Sequence, residues 1–237
     1  MAFTFWCHLL DPSTFFIVDV DNKYIKILQE MAKVNFVSGR LSELYKDEFD
    51  EICENLSKYN LKTIFNSNYG LFIRMNYFSP KDSNFWNKLS PFKNWNDILT
   101  VIASSKRTAS SLFFDDGNKL ILRPWRFDYK HENEFRVFIY KKQIKAISQY
   151  YWHEDFKLVD KINVTKLVDK ITEFFETIKD KYELNDFVMD VVVDNYVVEL
   201  LEFNTLYISG PCCFSWKTEK HKLINDDNNI YFKMTTF

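Results

Sequence analysis

With 237 residues, 46% of them hydrophobic, the chain suffices for one ordinary domain or two small ones and carries enough apolar side chains to bury a real core. That excludes a predominantly disordered protein. Its 31 basic and 33 acidic residues leave a net charge of −2, so no whole-chain field calls for a nucleic acid or a membrane surface, and any such site has to be local.

The four cysteines, Cys7, Cys53, Cys212 and Cys213, form no CxxC pair, and the adjacency of the last two suits neither an ordinary disulfide nor a zinc knuckle. A reducing compartment follows. The opening stretch MAFTFWCHLLDPSTFF lacks a basic start and meets Asp11-Pro12 after a short apolar run, which argues against a signal peptide or a span; a cytoplasmic protein is expected. Only 4 glycines are present, none arranged as GxxxxGK[ST] or GxGxxG, so a nucleotide would be bound without a glycine-rich phosphate cradle. The 24 Phe and 13 Tyr are explained more readily by biased codon usage than by an aromatic binding surface.

In chain order, the stretch 38–60 places Leu41, Leu44, Tyr45, Phe49, Ile52, Cys53 and Leu56 at intervals of three and four, the pattern of an amphipathic helix capped by Ser38 or Ser42. Residues 63–79 are β-like and aromatic. NWNDILTVIASS then has helical spacing, with Asn94 or Asn96 at its start. From Leu112 the texture changes: Asp116-Gly117 between apolar runs predicts a hairpin, and Tyr140-Lys141-Lys142-Gln143 predicts a second. Residues 163–182 read as a helix capped by Asn163 or Thr165. A last hairpin, DFVMDVVVDNYVVELLEFN (186–204), precedes a tail that is polar before one short apolar run. The order predicts an α+β protein of two lobes, 1–115 and 116–237.

That last hairpin carries Asp190, Glu202 and Asn204 among Val, Leu and Phe, where carboxylates are costly unless something pairs with them. Side chains alternate along a strand, so Glu202 and Asn204 share a face. Asp190 joins them only if the ladder has the right parity: a plain two-residue loop sends it to the opposite face, whereas an odd loop brings all three oxygen donors together, the chemistry of a Mg²⁺ site. Edge positions facing water would explain them equally well. Arg74, Arg123 and Arg136 each interrupt an apolar run, where a guanidinium needs an anion or a carboxylate. Arginines with carboxylates are a combination that phosphoryl binding explains, the carboxylates holding metal and the guanidinium groups holding phosphate. The histidines have no metal-ligand spacing, no nucleophile elbow is present, and Lys81, Lys88, Lys93, Lys106 and Arg107 are scattered as on a solvated face rather than an RNA patch.

Six segments taken together, IRMNYFSPKDSNFW (73–86), LILRPW (120–125), EFRVFIYKKQIKAISQY (134–150), DFVMDVVVD (186–194), LLEFN (200–204) and CFSW (213–216), resemble in order the blocks of the cell division cycle protein 123 family. The resemblance implies a two-lobed ATP-grasp fold with ATP and Mg²⁺ between the lobes, Asp190, Glu202 and Asn204 as metal ligands, and Arg123 and Arg136 by the nucleotide. It further implies that LILRPW, with Pro124 and Trp125, is the hinge whose backbone reads adenine, that Arg74 stands where the family often has a phosphate-facing lysine, and that Ser79 to Asp82, including Lys81, lie at the mouth of the site. The charge of the carboxylates would be countered by arginines of a neighbouring sheet. Glu202 replaces a usual aspartate, and Thr205 and Leu206 stand where a proline and an aromatic usually follow Asn204. The expected function is an ATP-dependent assembly chaperone, acting as a monomer, for a translation initiation factor 2 gamma-like partner. A ligase or a nucleotidyl or phosphoryl transferase on RNA or protein is the alternative.

Overall fold

The computed structural model describes residues 1–62, 69–154, 156 and 163–235. Its elements divide into two units, Ala2–Phe127 and Asp128–Phe237 together with Met1. The strands are β1 (Phe16–Asp19), β2 (Leu71–Met75), β3 (Lys119–Pro124), β4 (Glu134–Tyr140), β5 (Gln143–Gln149), β6 (Phe187–Asp194), β7 (Val197–Asn204) and β8 (Tyr231–Lys233). The helices are α1 (Ile25–Ser38), α2 (Lys46–Ser57), α3 (Trp86–Leu89), α4 (Trp95–Ile102), α5 (Lys106–Ser111), α6 (Val164–Ile178) and α7 (Lys220–Leu223). The fold is mixed α+β, as the order of patterns predicts. Among the described residues no helix is long and apolar enough to cross a membrane.

The N-terminal unit is built on an antiparallel sheet of order β1-β3-β2. One face carries Val18, Leu71, Ile73, Met75, Leu120 and Leu122, which form one core with Leu28, Met31, Ile52, Ile98 and Leu99 of the helices. Local chemistry sets the helix ends. Asn94 Oδ1 accepts the Asp97 N–H at 2.8 Å and Ser105 Oγ accepts the Thr108 N–H at 3.1 Å, each satisfying an otherwise unpaired first-turn donor. Helix α1 ends where Gly39 turns left-handed at φ 69°, its N–H returning to the Asn35 carbonyl.

Three expectations change here. Asp116-Gly117 does not join two strands: the apolar residues before it, Leu112 to Phe114, form turns after α5, and β3 pairs with β1 and β2. Hydrophobicity on both sides of a DG pair could not show that the first side was not a strand. β3 therefore belongs to the N-terminal unit, and the division falls after Phe127 rather than after Asp115. The helix expected over 38–60 begins at Lys46, after a turn that Ser42 caps, and α1 precedes it. Part of the β-like stretch, 63–68, lies outside the described residues.

The second unit holds a sheet of order β7-β6-β4-β5-β8, antiparallel except for β8 beside β5. The β4–β5 hairpin turns through Lys141 and Lys142, both left-handed (φ 51° and 58°), the two-residue geometry that matches strand twist. The Lys142 ammonium donates to the Lys179 and Tyr182 carbonyls, meeting the carbonyl-rich end of α6. Helix α6 starts at Asn163, whose Oδ1 accepts the Lys166 N–H at 3.0 Å. One sheet face, with Phe135, Val137, Ile139, Phe187, Met189 and Phe203, is buried. Phe187 meets Phe175 of α6 at a ring separation of 6.3 Å, and Tyr182 stacks on Phe203 at 4.2 Å. The opposite face buries Phe138, Ala146 and Val188 beneath Leu206, Phe214 and Leu223.

Removing the Phe203 ring should cost about 3–5 kcal/mol, because it is 1% exposed and stacked on a buried tyrosine; denaturant unfolding of Phe203→Ala measures it. Glu219 holds Lys222 and Lys233 at 2.8 and 2.6 Å, and their hydrogen bonds lower its carboxyl from 4.5 to about 2. A carboxyl lowered on folding stabilises above its unfolded value and loses that contribution as pH falls through the folded one. The acid limb of the stability profile should therefore lie flatter for Glu219→Gln between about pH 4.5 and pH 2, as thermal unfolding against pH would show.

Candidate functional site

Strands β6 and β7 meet through Asn195 and Tyr196, both left-handed (φ 49° and 65°), so the loop has two residues and opposes Asp194 to Val197. Continued unbroken, that register would put Asp190 and Glu202 on opposite faces. It is broken once: Val191 opposes Leu200, but Asp190 opposes Glu202, and Leu201 is the extra residue taken up by a β-bulge. The bulge restores the parity. Asp190, Glu202 and Asn204 consequently stand on one face, with the Asn204 amide donating to Asp190 Oδ2 at 3.0 Å and to Glu202 Oε1 at 3.1 Å.

Asp190 is fully buried, in the interior of the sheet. Arg136 on adjacent β4 opposes it directly and donates through Nε to Oδ1 and through Nη2 to Oδ2, both at 2.8 Å. This fork-on-carboxylate geometry is the strongest arrangement available to the two groups. Burial works against both charges. It pushes the Asp190 carboxyl up, with the Arg136 charge opposing; on Arg136 the charge and hydrogen bonds of Asp190 outweigh burial and raise the guanidinium above its ordinary value. The countercharge thus comes from the same sheet, not the neighbouring sheet expected from sequence, because β4 lies between β6 and β5.

Arg136 has two further contacts. Its guanidinium lies 4.7 Å over the Tyr150 ring, and Nη1 donates to the Gly210 carbonyl at 2.9 Å. Gly210 belongs to a segment, 205–216, that leaves β7 at Asn204 and crosses the sheet face. Leu206 and Phe214 anchor it in the small core. Along it Ser209 Oγ donates to the Thr205 carbonyl at 2.6 Å, Trp216 Nε1 donates to the Ser209 carbonyl at 2.8 Å, and the Cys213 N–H donates to Ser148 Oγ at 2.9 Å. Beside Arg136 opens a cleft of about 1300 Å³ whose walls include Tyr150, Tyr151, Cys212, Cys213 and Lys233. Burial pushes the Cys212 thiol up to about 12. Neither cysteine is in a disulfide.

The other sequence-predicted residues lie in the N-terminal unit. The register places Arg74 opposite Ile121 and Phe72 opposite Arg123, so Arg74 and Arg123 share the face of the three-stranded sheet opposite Ile73, Met75 and Leu122, beside Phe72, whose ring meets Trp86 at 5.6 Å. Arg74 is buried, donating to the Met75 and Tyr77 carbonyls at 3.3 and 3.5 Å and lying 5.7 Å over Phe3. Lys81 is exposed, 5.6 Å over Phe72. Asp82, next to it, is fixed by the Ser105 hydroxyl and the Arg107 N–H at the start of α5. Pro124 closes β3 and Trp125 follows, its N–H on the Gly70 carbonyl; both are half-buried.

Sequence reasoning passed over Glu134, Tyr150, Gly210 and Trp216. Glu134 is two residues from Arg136 on one strand, so strand alternation alone puts it on the same face, where it is 6% exposed. Gly210 and Trp216 act through a loop whose path no periodicity reports. Among the described residues no group of three or more His, Cys, Asp or Glu side chains could hold a metal ion, so a cation site here needs Asn204 as its third donor.

A D123 family model matches residues 38–236, and the chain belongs to that family, the cell division cycle protein 123 family whose sequence blocks it resembles. It is 29% identical over 192 residues to a translation initiation factor eIF2 assembly protein of Dictyostelium discoideum, an alignment covering 74% of this chain and 50% of that one. It is 27% identical over 222 residues to a putative CDC123-like protein of Acanthamoeba polyphaga mimivirus, covering 87% and 65%. The chain spans about half the length of the Dictyostelium relative. The solved structure of Cdc123 from Schizosaccharomyces pombe superimposes with a TM-score of 0.76 at 19% identity, covering 100% of this chain and 95% of that one, which identifies a shared fold.

Truncating Arg136 strands a buried carboxylate, so Arg136→Ala should lose about 3–5 kcal/mol. An Arg136→Met, Asp190→Leu double variant should lose much less, because it removes both charges; equal losses in denaturant titrations would contradict the ion-pair account.

Proposed function

We propose that the protein is a Mg-ATP-binding ATP-grasp protein that acts in the cytoplasm as an assembly chaperone for a translation initiation factor 2 gamma-like partner. The observation that carries this is the bulge-restored convergence of Asp190, Glu202 and Asn204 on one sheet face in a member of the D123 family. The names of the Dictyostelium relative and of a Vanderwaltozyma polyspora relative, 29% identical over 188 residues, support the client.

The donor chemistry fits a magnesium ion: two carboxylates and a side-chain amide are hard oxygen ligands. The amide supplies its oxygen once it turns about its last torsion and exchanges the Nδ2 contacts for Oδ1. When bound, the ion neutralises phosphate charge. Arg136 fixes the Asp190 carboxylate in place, and the half-buried positions of Glu202 and Asn204 leave both within reach of a ligand. In the N-terminal unit Arg74 and Arg123 are the candidates for phosphate oxygens, Lys81 for the mouth of the site, and the backbone of LILRPW, through Pro124 and Trp125, for adenine.

A ligase or nucleotidyl or phosphoryl transferase is the second reading. The cleft beside Arg136 favours it, since an acceptor would need such a groove next to the phosphates.

Calorimetry should show ATP binding that needs Mg²⁺, weakened about tenfold or more by Glu202→Ala and by Asn204→Ala, a loss on the order of 1.4 kcal/mol. Unchanged affinity in both variants would overturn the metal assignment. Capture of an initiation factor 2 gamma subunit without transfer of label from ATP supports the chaperone. Transfer of labelled AMP or phosphate to RNA or protein, lost in Asp190→Ala, would replace it with the enzyme.

A further inference from the structure

The segment 205–216 begins one residue after Asn204 and returns to the site at Gly210. Its first turn, Leu206–Ile208, buries Leu206 and presents Tyr207 and Ile208 to solvent, 57% and 84% exposed. Between the anchors Leu206 and Phe214 it is tied to the sheet at two places: Arg136 Nη1 donates to the Gly210 carbonyl, and at Cys213, beside the Phe214 anchor, the N–H donates to Ser148 Oγ, the thiol to the Gln149 carbonyl, and the carbonyl accepts from Lys233 Nζ. The first of these draws on the carboxylate site. The same guanidinium takes both oxygens of Asp190, and Asp190 Oδ2 accepts from Asn204 as well. A planar fork cannot give up one carboxylate contact without reorienting the others.

We infer that Arg136 is a positioning residue that couples the carboxylate site to the 205–216 segment, so that a cation competing for the Asp190 oxygens loosens the hold on Gly210 and alters how Tyr207 and Ile208 are displayed. This rests on the reading that Asp190, Glu202 and Asn204 receive Mg-ATP. It adds regulation of that site: the display of the exposed pair follows nucleotide occupancy. The physical basis is competition for the same two oxygens, since a full positive charge held near Asp190 acts directly against the guanidinium already there.

Amide hydrogen exchange on the whole protein, read beside calorimetry, tests the coupling. Adding MgCl₂ with ATP should speed exchange of the Cys213 and Phe214 amides, whose N–H groups donate to Ser148 Oγ and to the Pro211 carbonyl, about tenfold, whereas ATP with a chelator should leave it unchanged. In Arg136→Lys, which keeps the charge but loses the fork, those amides should already exchange fast and should not respond further. Gly210→Ala should behave as the parent, because the added methyl would sit 3.7 Å from Nη1, an ordinary contact. A binding heat with Mg-ATP but unaltered or slowed exchange at Cys213 and Phe214 would overturn the coupling and leave the nucleotide site standing. No binding heat at all would overturn both.

Discussion

A carboxylate with no exposure to water, set in the interior of a five-stranded sheet, is tolerable only because a guanidinium on the next strand meets both of its oxygens. Much of the C-terminal unit is arranged around that pair. β4 must lie beside β6 for Arg136 to face Asp190, and the Tyr150 ring must cover the guanidinium. The chain after β7 must double back so that a carbonyl is available for the remaining nitrogen. Each requirement constrains a different element, and together they leave one end of the sheet face polar while the other end is closed over by Leu206, Phe214 and Leu223.

The two units solve the same packing problem differently. The three-stranded sheet covers one face with helices and leaves on the other the face that bears Arg74 and Arg123. The five-stranded sheet covers one face with α6 and uses the other both as a small core and as the site. In each, an arginine within an apolar strand lies on the face opposite the main core.

Local signals were legible where local chemistry decides the outcome. Each cap was readable to within two residues, Asn94 or Asn96 and Asn163 or Thr165, of which the structure uses Asn94 and Asn163, and the β4–β5 and β6–β7 hairpins were readable as apolar runs on either side of a turn. Asp116-Gly117 misled because a turn dipeptide says nothing about whether the preceding apolar residues are a strand or, as here, further turns. The site was half legible. The parity argument showed that Asp190 and Glu202 needed an irregularity to meet, but not that the loop would stay even and the ladder would carry the extra residue at Leu201. The partnership of Arg136 with Asp190 was out of reach, since strand order in the sheet depends on contacts far apart in the chain, and a guanidinium in isolation does not reveal which carboxylate it will meet.

The bulge at Leu201 makes the site depend on counting more than on composition. With a two-residue loop, the even-numbered face of β6 reaches Glu202 only because one residue is spent in the ladder; with a three-residue loop, the same faces would meet with no bulge at all. A change of length in one place can be absorbed by the opposite change in the other, whereas a lone insertion or deletion between Asp190 and Glu202 would turn the acidic side chain to the far face without altering its identity. The hairpin is therefore bound in its arithmetic as well as in its buried residues, and chains of different loop length can hold the same three side chains together provided their loop and bulge lengths compensate.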